Sequence, residues 1–322
     1  MIETFNHDVE VINNLSNEDY HSHNSISKSG LDLIDKDPFL YWDKFLNPDA
    51  VPERSRDAFI IGAATHTLVL EPDKEKELLG VYPFGIRGQN KIEFQEENEG
   101  KTLITSSVYS KASGMRDSVF SHPLASSYLS KPAMAEQSVF WTWSEEIPLR
   151  CRIRPDWIRG DGVLVDLKTT KSVRAASFLK SIELFRYHVQ AGFYSEGYKQ
   201  AYGEYPKEFV FIAVEKIPPY HVGVFKLDQE SIRLGWAQAK LDLKKAMRLF
   251  ETGQWGSDTP TEIKVSSWQY RMYDQKRQEE EKHVYARKAS RNPIIGGQDV
   301  DQSMGNSDYG PNVGTGHQST IK

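Results

Sequence analysis

Asp156, Asp166 and Lys168 stand at a spacing that chemistry can use, within the stretch from Arg150 to Thr170. The stretch reads as a β-hairpin. Residues 150–158 alternate charged with apolar, residues 163–167 are apolar around one acid, and Gly160-Asp161-Gly162 supplies the permissive φ of a tight connection. A turn centred on Asp161 sets Asp156 across from Asp166, where side chains on one face lie about 5 Å apart. Like charges so placed repel. A half-buried sheet keeps such a pair only with compensation, which a divalent cation between the carboxylates would provide, with Lys168 one pleat beyond. The alternative is an exposed hairpin whose acids form salt bridges with Arg152, Arg154 and Lys168.

These groups need a scaffold. Upstream, residues 54–72 read as a helix that is apolar almost all round, capped by Ser55 or Asp57 and stopped by Pro72; it carries one imidazole, His66. A histidine so placed is either a core residue bonded to a carbonyl or a metal ligand. Residues 135–143, including Glu136, alternate as a strand feeding the hairpin, which predicts three antiparallel strands. Downstream, 173–182 and 185–202 read as helices, the second with Gln190 and Tyr194 one turn apart as a packing stripe or as substrate contacts. Residues 208–215 are a near-continuous β-rich run, the pattern of a central strand covered on both faces. A strand at 221–227 follows, then a long amphipathic helix capped by Asp228 and reaching about Phe250.

The remaining segments are read more coarsely. Ser27 caps a short helix through Ile34, a second follows Pro38, and Ser106–Phe120 and the segment after Pro123 are further helices. Residues 73–100 read as a surface excursion. Residues 1–24 are expected as a flexible leader, 25–273 as one domain, and 274–322 as a disordered tail with too few apolar residues for a core.

Bulk properties exclude several classes. The single cysteine, Cys151, forbids an internal disulfide and excludes a cysteine-ligated zinc or iron–sulfur site within one chain. A net charge of −5 argues against binding nucleic acid over the whole surface but leaves room for a local basic groove. No apolar run approaches a membrane span, and the first residues lack the basic start and apolar core of a signal peptide, so a cytoplasmic location is expected.

The order of strand, hairpin bearing Pro155-Asp156 and Asp166-Leu167-Lys168, helices and buried strand resembles the PD-(D/E)xK nuclease superfamily. That resemblance implies an α/β, restriction-endonuclease-like core: a central mixed β-sheet flanked by helices. His66 upstream, Glu136 on the preceding strand and Gln190-x-x-x-Tyr194 downstream resemble its RecB-like branch. More narrowly, Ser25-Ile26-Ser27-Lys28-Ser29-Gly30-Leu31, the run from Ile61 to Pro72, Arg154-Pro155-Asp156-Trp157 and Asp166-Leu167-Lys168-Thr169-Thr170 look like the exonuclease VIII (RecE) family of phage recombination exonucleases, over about residues 25–273.

The resemblance implies a Mg²⁺-dependent exonuclease on double-stranded DNA ends. It would degrade the 5′-ended strand and leave 3′ overhangs for a RecT-like single-strand annealing protein. A homo-oligomeric ring, a tetramer by family resemblance, in a bacterial host's cytoplasm is likewise implied. Carried over, His66, Asp156, Asp166 and the Leu167 carbonyl match metal ligands, Lys168 matches the catalytic lysine, and Glu136, Gln190 and Tyr194 match helpers. The chemistry agrees: phosphodiester hydrolysis needs an activated water and charge stabilisation at phosphorus, which Mg²⁺ on oxygen ligands supplies. Lys168 would orient or deprotonate that water and neutralise the phosphate. A histidine ligand is unusual for so hard a cation, so Mn²⁺ is expected to support activity as well. Arg54, Arg56, Arg152, Arg154, Lys171 and Arg174 are candidates for backbone phosphate contacts, one of them for the terminal 5′ phosphate. An endonuclease on the same fold and a catalytically silent DNA-binding subunit are the competing readings.

Overall fold

The computed structural model describes residues 8–51, 57–143, 148–256 and 262–291. The chain divides into a unit ending at Asp258 and one beginning at Thr259. The first unit opens with β1 (Glu10–Ile12), α1 (Asn17–Ser22), α2 (Lys28–Lys36) and α3 (Pro38–Phe45). Ser27 caps α2 by accepting from the Gly30 N–H, and Asp37 caps α3 just ahead of Pro38, whose missing N–H is no loss at a first helical position.

Residues 8–24, expected as a flexible leader, are instead built into the unit. β1 is paired in a sheet and Tyr20 is buried. The cause lies far along the chain, in two buried cations that require partners. Arg152 donates to the Ser25 carbonyl (2.7 Å); Arg154 donates to Asn17 Oδ1 (2.8 Å) and the Leu15 carbonyl (3.0 Å); both guanidinium groups lie over the Tyr20 ring. A polar segment with no apolar period of its own is thereby ordered.

Next come α4 (Asp57–Leu70), α5 (Glu75–Leu78), β2 (Leu79–Val81), α6 (Gly88–Glu97), β3 (Thr102–Ile104), α7 (Ser106–Ser121) and α8 (Pro123–Leu129). β2, within the expected surface excursion, pairs in parallel with β3 just beyond it, and Leu79 and Ile104 are buried in the core. One side of α4 is covered, where Ala64, Leu68 and Val69 join residues of α7 and of the main sheet in one core, while Phe59, Ala63 and His66 face a cleft.

The main sheet is built from β4 (Ala133–Ala135), β7 (Trp157–Arg159), β8 (Val163–Thr170), β9 (Glu208–Glu215) and β10 (Val222–Lys226), whereas β5 (Ser138–Trp143) and β6 (Leu149–Ile153) pair with β1 in a three-stranded sheet. The order is β10-β9-β8-β7-β4, with β8 and β9 parallel and the other pairs antiparallel, so this is the mixed sheet expected. The crossover from β8 to β9 carries α9 (Ala175–Leu184) and α10 (Tyr187–Tyr202), and α11 (Gln229–Thr252) follows β10. Every residue of β9 from Phe209 to Val214 is buried, as its β-rich run predicts.

Two of the predicted strands divide. The ribbon formed by 133–143 and 149–159 keeps one register throughout, with Ala135 opposite Trp157 and Val139 opposite Ile153, yet it leaves one sheet and enters the other. It bends where Pro155 cannot donate to a ladder and where Glu136 takes the left-handed φ of 49°. On the far side, α10 and α11 press together backbone to backbone. A Cβ on Gly192 would lie 2.2 Å from Trp236 N, and one on Gly235 only 1.8 Å from the His188 carbonyl oxygen.

In the second unit, α12 (Ser267–Arg291) contains Trp268, Tyr270 and Tyr273, which the sequence assigned to the nuclease domain; residues 274–291, expected without structure, continue the helix. Residues 292–322 of the expected tail lie outside the described residues. No helix among the described residues is long and apolar enough to cross a membrane.

Candidate active site

The bend in the ribbon collects the acids. Continued one residue, the β4/β7 register places Glu136 opposite Asp156, and the Glu136 N–H donates to the Asp156 carbonyl (3.2 Å). The tight turn at Gly160-Asp161-Gly162, with Gly162 at φ 83°, fixes the β7/β8 register so that Trp157 faces Val165. One step further, Asp156 faces Asp166, as the hairpin reading requires. Asp156 Oδ2 does not stay free: it accepts from the Leu167 N–H at 2.7 Å. Because N–H and C=O of one strand residue point to the same side, the Leu167 carbonyl faces this edge too.

α4 delivers His66 from the opposite wall, its Nδ1 3.5 Å from Asp156 Oδ2. Donor atoms of His66, Glu136 and Asp156 lie within 4.8 Å of one another, a spacing at which one divalent cation can bind all three. Glu136, expected from the resemblance as a helper, thus stands with two of the expected ligands, and Asp166 lies next to them. Asp166 is buried beside the cluster with both oxygens engaged: Oδ1 accepts from Gln190 Nε2 at 2.5 Å, and Oδ2, which takes no hydrogen bond, faces Lys168 Nζ at 2.7 Å.

Burial, and then the neighbouring Asp156 and Glu71, hold the Glu136 carboxyl well above its ordinary range, only partly offset by Arg154. Burial also pushes Asp166 up to about 6, with Lys168 opposing and Asp156 adding to the shift. Three acids crowded where water is scarce have excess negative charge that a divalent ion would relieve, so the residues present fit such a group. Burial disfavours charge on Lys168 as well, but Asp166 and Asp156 outweigh it and hold the ammonium above its ordinary range.

The cluster opens into a cleft of about 1490 Å³ whose lining includes His66, Glu136, Lys168, Lys171 and Lys216. Tyr194 stands within reach of the same acids: burial, then Tyr20, Asp166 and Asp156 raise its phenol well above the ordinary range. Sequence reasoning missed Tyr187, whose ring lies 4.9 Å from Lys168 Nζ, although residues 187, 190 and 194 share one helical stripe. It also missed Lys28, held at the cleft wall by Asp32 (2.6 Å) and the Phe185 carbonyl (2.7 Å). Of the expected phosphate contacts, Arg152 and Arg154 are buried and bonded to residues 15–25, and Arg154 also forms part of the cleft lining. Lys171 and Arg174 are exposed, and Arg54 and Arg56 lie outside the described residues.

A mixed sheet flanked by helices, with acids and a lysine gathered at the strand ends beside a histidine-bearing helix, defines a PD-(D/E)xK-like nuclease fold with a candidate divalent-metal site. The chain belongs to the family of the PDDEXK-like domain of unknown function DUF3799, whose profile matches residues 42–260. Among solved structures it is similar to a "Putative exonuclease" from Eubacterium rectale, with 13% identity and a TM-score of 0.55 over 78% of this chain and 96% of that one, a likeness of fold. A second structure, SSO0001, aligns at 12% identity over 73% of this chain and 96% of that one, but its TM-score of 0.26 bears no weight. No curated protein matches the sequence significantly.

Proposed function

We propose that this chain is a divalent-metal-dependent exonuclease acting on the ends of double-stranded DNA, with Mg²⁺ as cofactor and Mn²⁺ as an effective substitute. The observation that supports it best is the opening of His66, Glu136 and Lys168 onto one cleft, with Asp156 and Asp166 beside them. Lys168, Lys171 and Lys216 stand among the acids of that lining, cationic side chains for phosphate contact on a chain whose net charge is −5. Similarity of fold to a "Putative exonuclease" and the sequence resemblance to the exonuclease VIII family favour attack from an end over internal cleavage. By that resemblance, the 5′-ended strand is degraded and 3′ overhangs pass to a RecT-like annealing protein. A tetrameric ring and a cytoplasmic location complete the proposal.

His66, Glu136 and Asp156 would hold the cation, with Asp166 and the Leu167 carbonyl at its side. When bound, it supplies Lewis-acid charge neutralisation at the phosphate and makes water a better nucleophile near neutral pH. Lys168, tied to Asp166 and set over Tyr187, is placed to donate a hydrogen bond and positive charge to a phosphoryl oxygen. Gln190 fixes Asp166, which in turn aims Lys168.

Linear duplex labelled at either end, beside closed circles, tests the proposal with and without Mg²⁺. Metal-dependent release of the 5′ label from linear DNA, intact circles, and loss of activity in Asp166→Ala are expected. Equal rates on circles would establish an endonuclease, and binding without hydrolysis in either metal a silent subunit.

A further inference from the structure

Beyond Lys168 the cleft holds a second cationic feature. β8 and β9 run parallel with Thr170 beside Glu215, so one step further Lys171 stands beside Lys216. The Lys216 N–H donates to the Thr170 carbonyl at 3.1 Å, carrying the ladder past the strand end and holding the two positions as neighbours. Both side chains line the cleft that contains His66, Glu136 and Lys168. Of the other cations that line it, Lys28, Lys74, Lys168 and Arg186 are each paired with a carboxylate, whereas, among the described residues, Lys36, Lys101 and Arg154 are not; what sets Lys171 and Lys216 apart is that they are neighbours at the ends of paired strands. Among the described residues, neither Lys171 nor Lys216 forms an ion pair.

Resting on the nuclease reading, we infer that Lys171 and Lys216 together form a subsite for a backbone phosphodiester of the nucleic-acid substrate, flanking the one that is hydrolysed. Two like charges set side by side without an acid repel each other, and a bound anion removes the repulsion. The effect is visible on Lys216, whose ammonium is lowered by burial and then by Lys171. Position argues the same way: both residues leave the carboxyl ends of adjacent parallel strands, the edge at which open α/β sheets hold ligands. Lys171 lies three steps along the chain from Lys168, about 10 Å when extended at roughly 3.3 Å per residue, so a phosphate held there is distinct from one at Lys168. The substrate strand would therefore run from the metal cluster across Lys168 to the ends of β8 and β9. Lys171 and Lys216 are positioning residues; neither touches the reacting atoms.

The experiment uses the full chain with Lys171→Gln, Lys216→Gln, the double variant and the charge-keeping Lys171→Arg/Lys216→Arg, each checked for an unchanged melting temperature. Binding to a fluorescent duplex end in Ca²⁺ is measured against salt, alongside hydrolysis of linear DNA and of a mononucleotide aryl phosphodiester, which is too short to reach the subsite. Each Gln variant is expected to lower the slope of log affinity against log salt by about 1. The double variant should raise KM for DNA about tenfold with kcat nearly unchanged, leave the aryl ester unaffected, and recover with arginine. A wild-type salt slope and KM in the double variant would overturn the inference while leaving the nuclease reading intact. A wild-type protein that cleaves neither substrate yet binds DNA in a lysine-dependent, salt-sensitive way would overturn the nuclease reading and uphold the subsite.

Discussion

Gln190→Leu is the sharpest probe of how the site is held. Gln190 and Asp166 are both buried, and the amide donates to Asp166 Oδ1 at 2.5 Å. Leucine keeps comparable bulk but removes the donor, leaving a carboxylate oxygen without a partner beside Asp156 and Glu136. A hydrogen bond to a charged group is worth about 1.5–3 kcal/mol, which at about 1.4 kcal/mol per decade is roughly a 10- to 100-fold effect. The same range is typical when an outer partner of a metal site is lost. Nucleotide release from linear duplex, titrated with Mg²⁺ and Mn²⁺, should show kcat/KM lowered by that factor. Part of the loss should be recovered at high metal, because the cation then organises Asp166. Gln190→Glu should be worse, since it sets a further carboxylate against the acids. If Gln190→Leu keeps a rate within about twofold of wild type at every metal concentration, Lys168 alone holds Asp166 and Gln190 is packing.

Three further outcomes follow from the same geometry. His66→Ala and Glu136→Gln should each weaken Mn²⁺ binding about 10- to 100-fold by calorimetry, and unchanged binding in either removes that residue from the metal cluster. Gly235→Ala should lower stability by about 1–3 kcal/mol or more in denaturant titration, because its Cβ would meet the His188 carbonyl oxygen at 1.8 Å; a wild-type midpoint would mean that α10 and α11 separate easily. In metal-free protein, Asp166 binds its proton more tightly folded than unfolded, so its contribution to stability is full below the ordinary carboxylate range and is lost as pH rises through about 6. The melting temperature relative to Asp166→Asn should therefore fall between about pH 4 and 6 and flatten when Mn²⁺ is added, and a difference independent of pH would contradict the raised carboxyl.

The helices and the hairpin were legible because their signals are local. Ser27 and Asp228 cap the helices they were expected to cap, and the β-rich run 208–215 became β9 with the predicted bounds. The Gly160-Asp161-Gly162 turn sets the β7/β8 register through a few residues of backbone, which is why the opposition of Asp156 and Asp166 could be read in advance. The division of the ribbon between two sheets was less legible, since Pro155 announces a break without saying which sheet each half joins.

Residue types alone determined that acids, a lysine and a histidine were available for metal-assisted phosphodiester chemistry, and that Asp156 and Asp166 would meet. Tertiary structure decided the rest. Glu136 joins His66 and Asp156 because a bend with positive φ turns it toward them; Gln190 reaches Asp166 because α10 is pressed down by α11 at Gly192 and Gly235; residues 8–24 are ordered by Arg152 and Arg154; and Lys216 stands beside Lys171 through a parallel crossover. Each of these joins parts of the chain that no local propensity couples, and each is set by burial and by the demand that buried polar groups find partners.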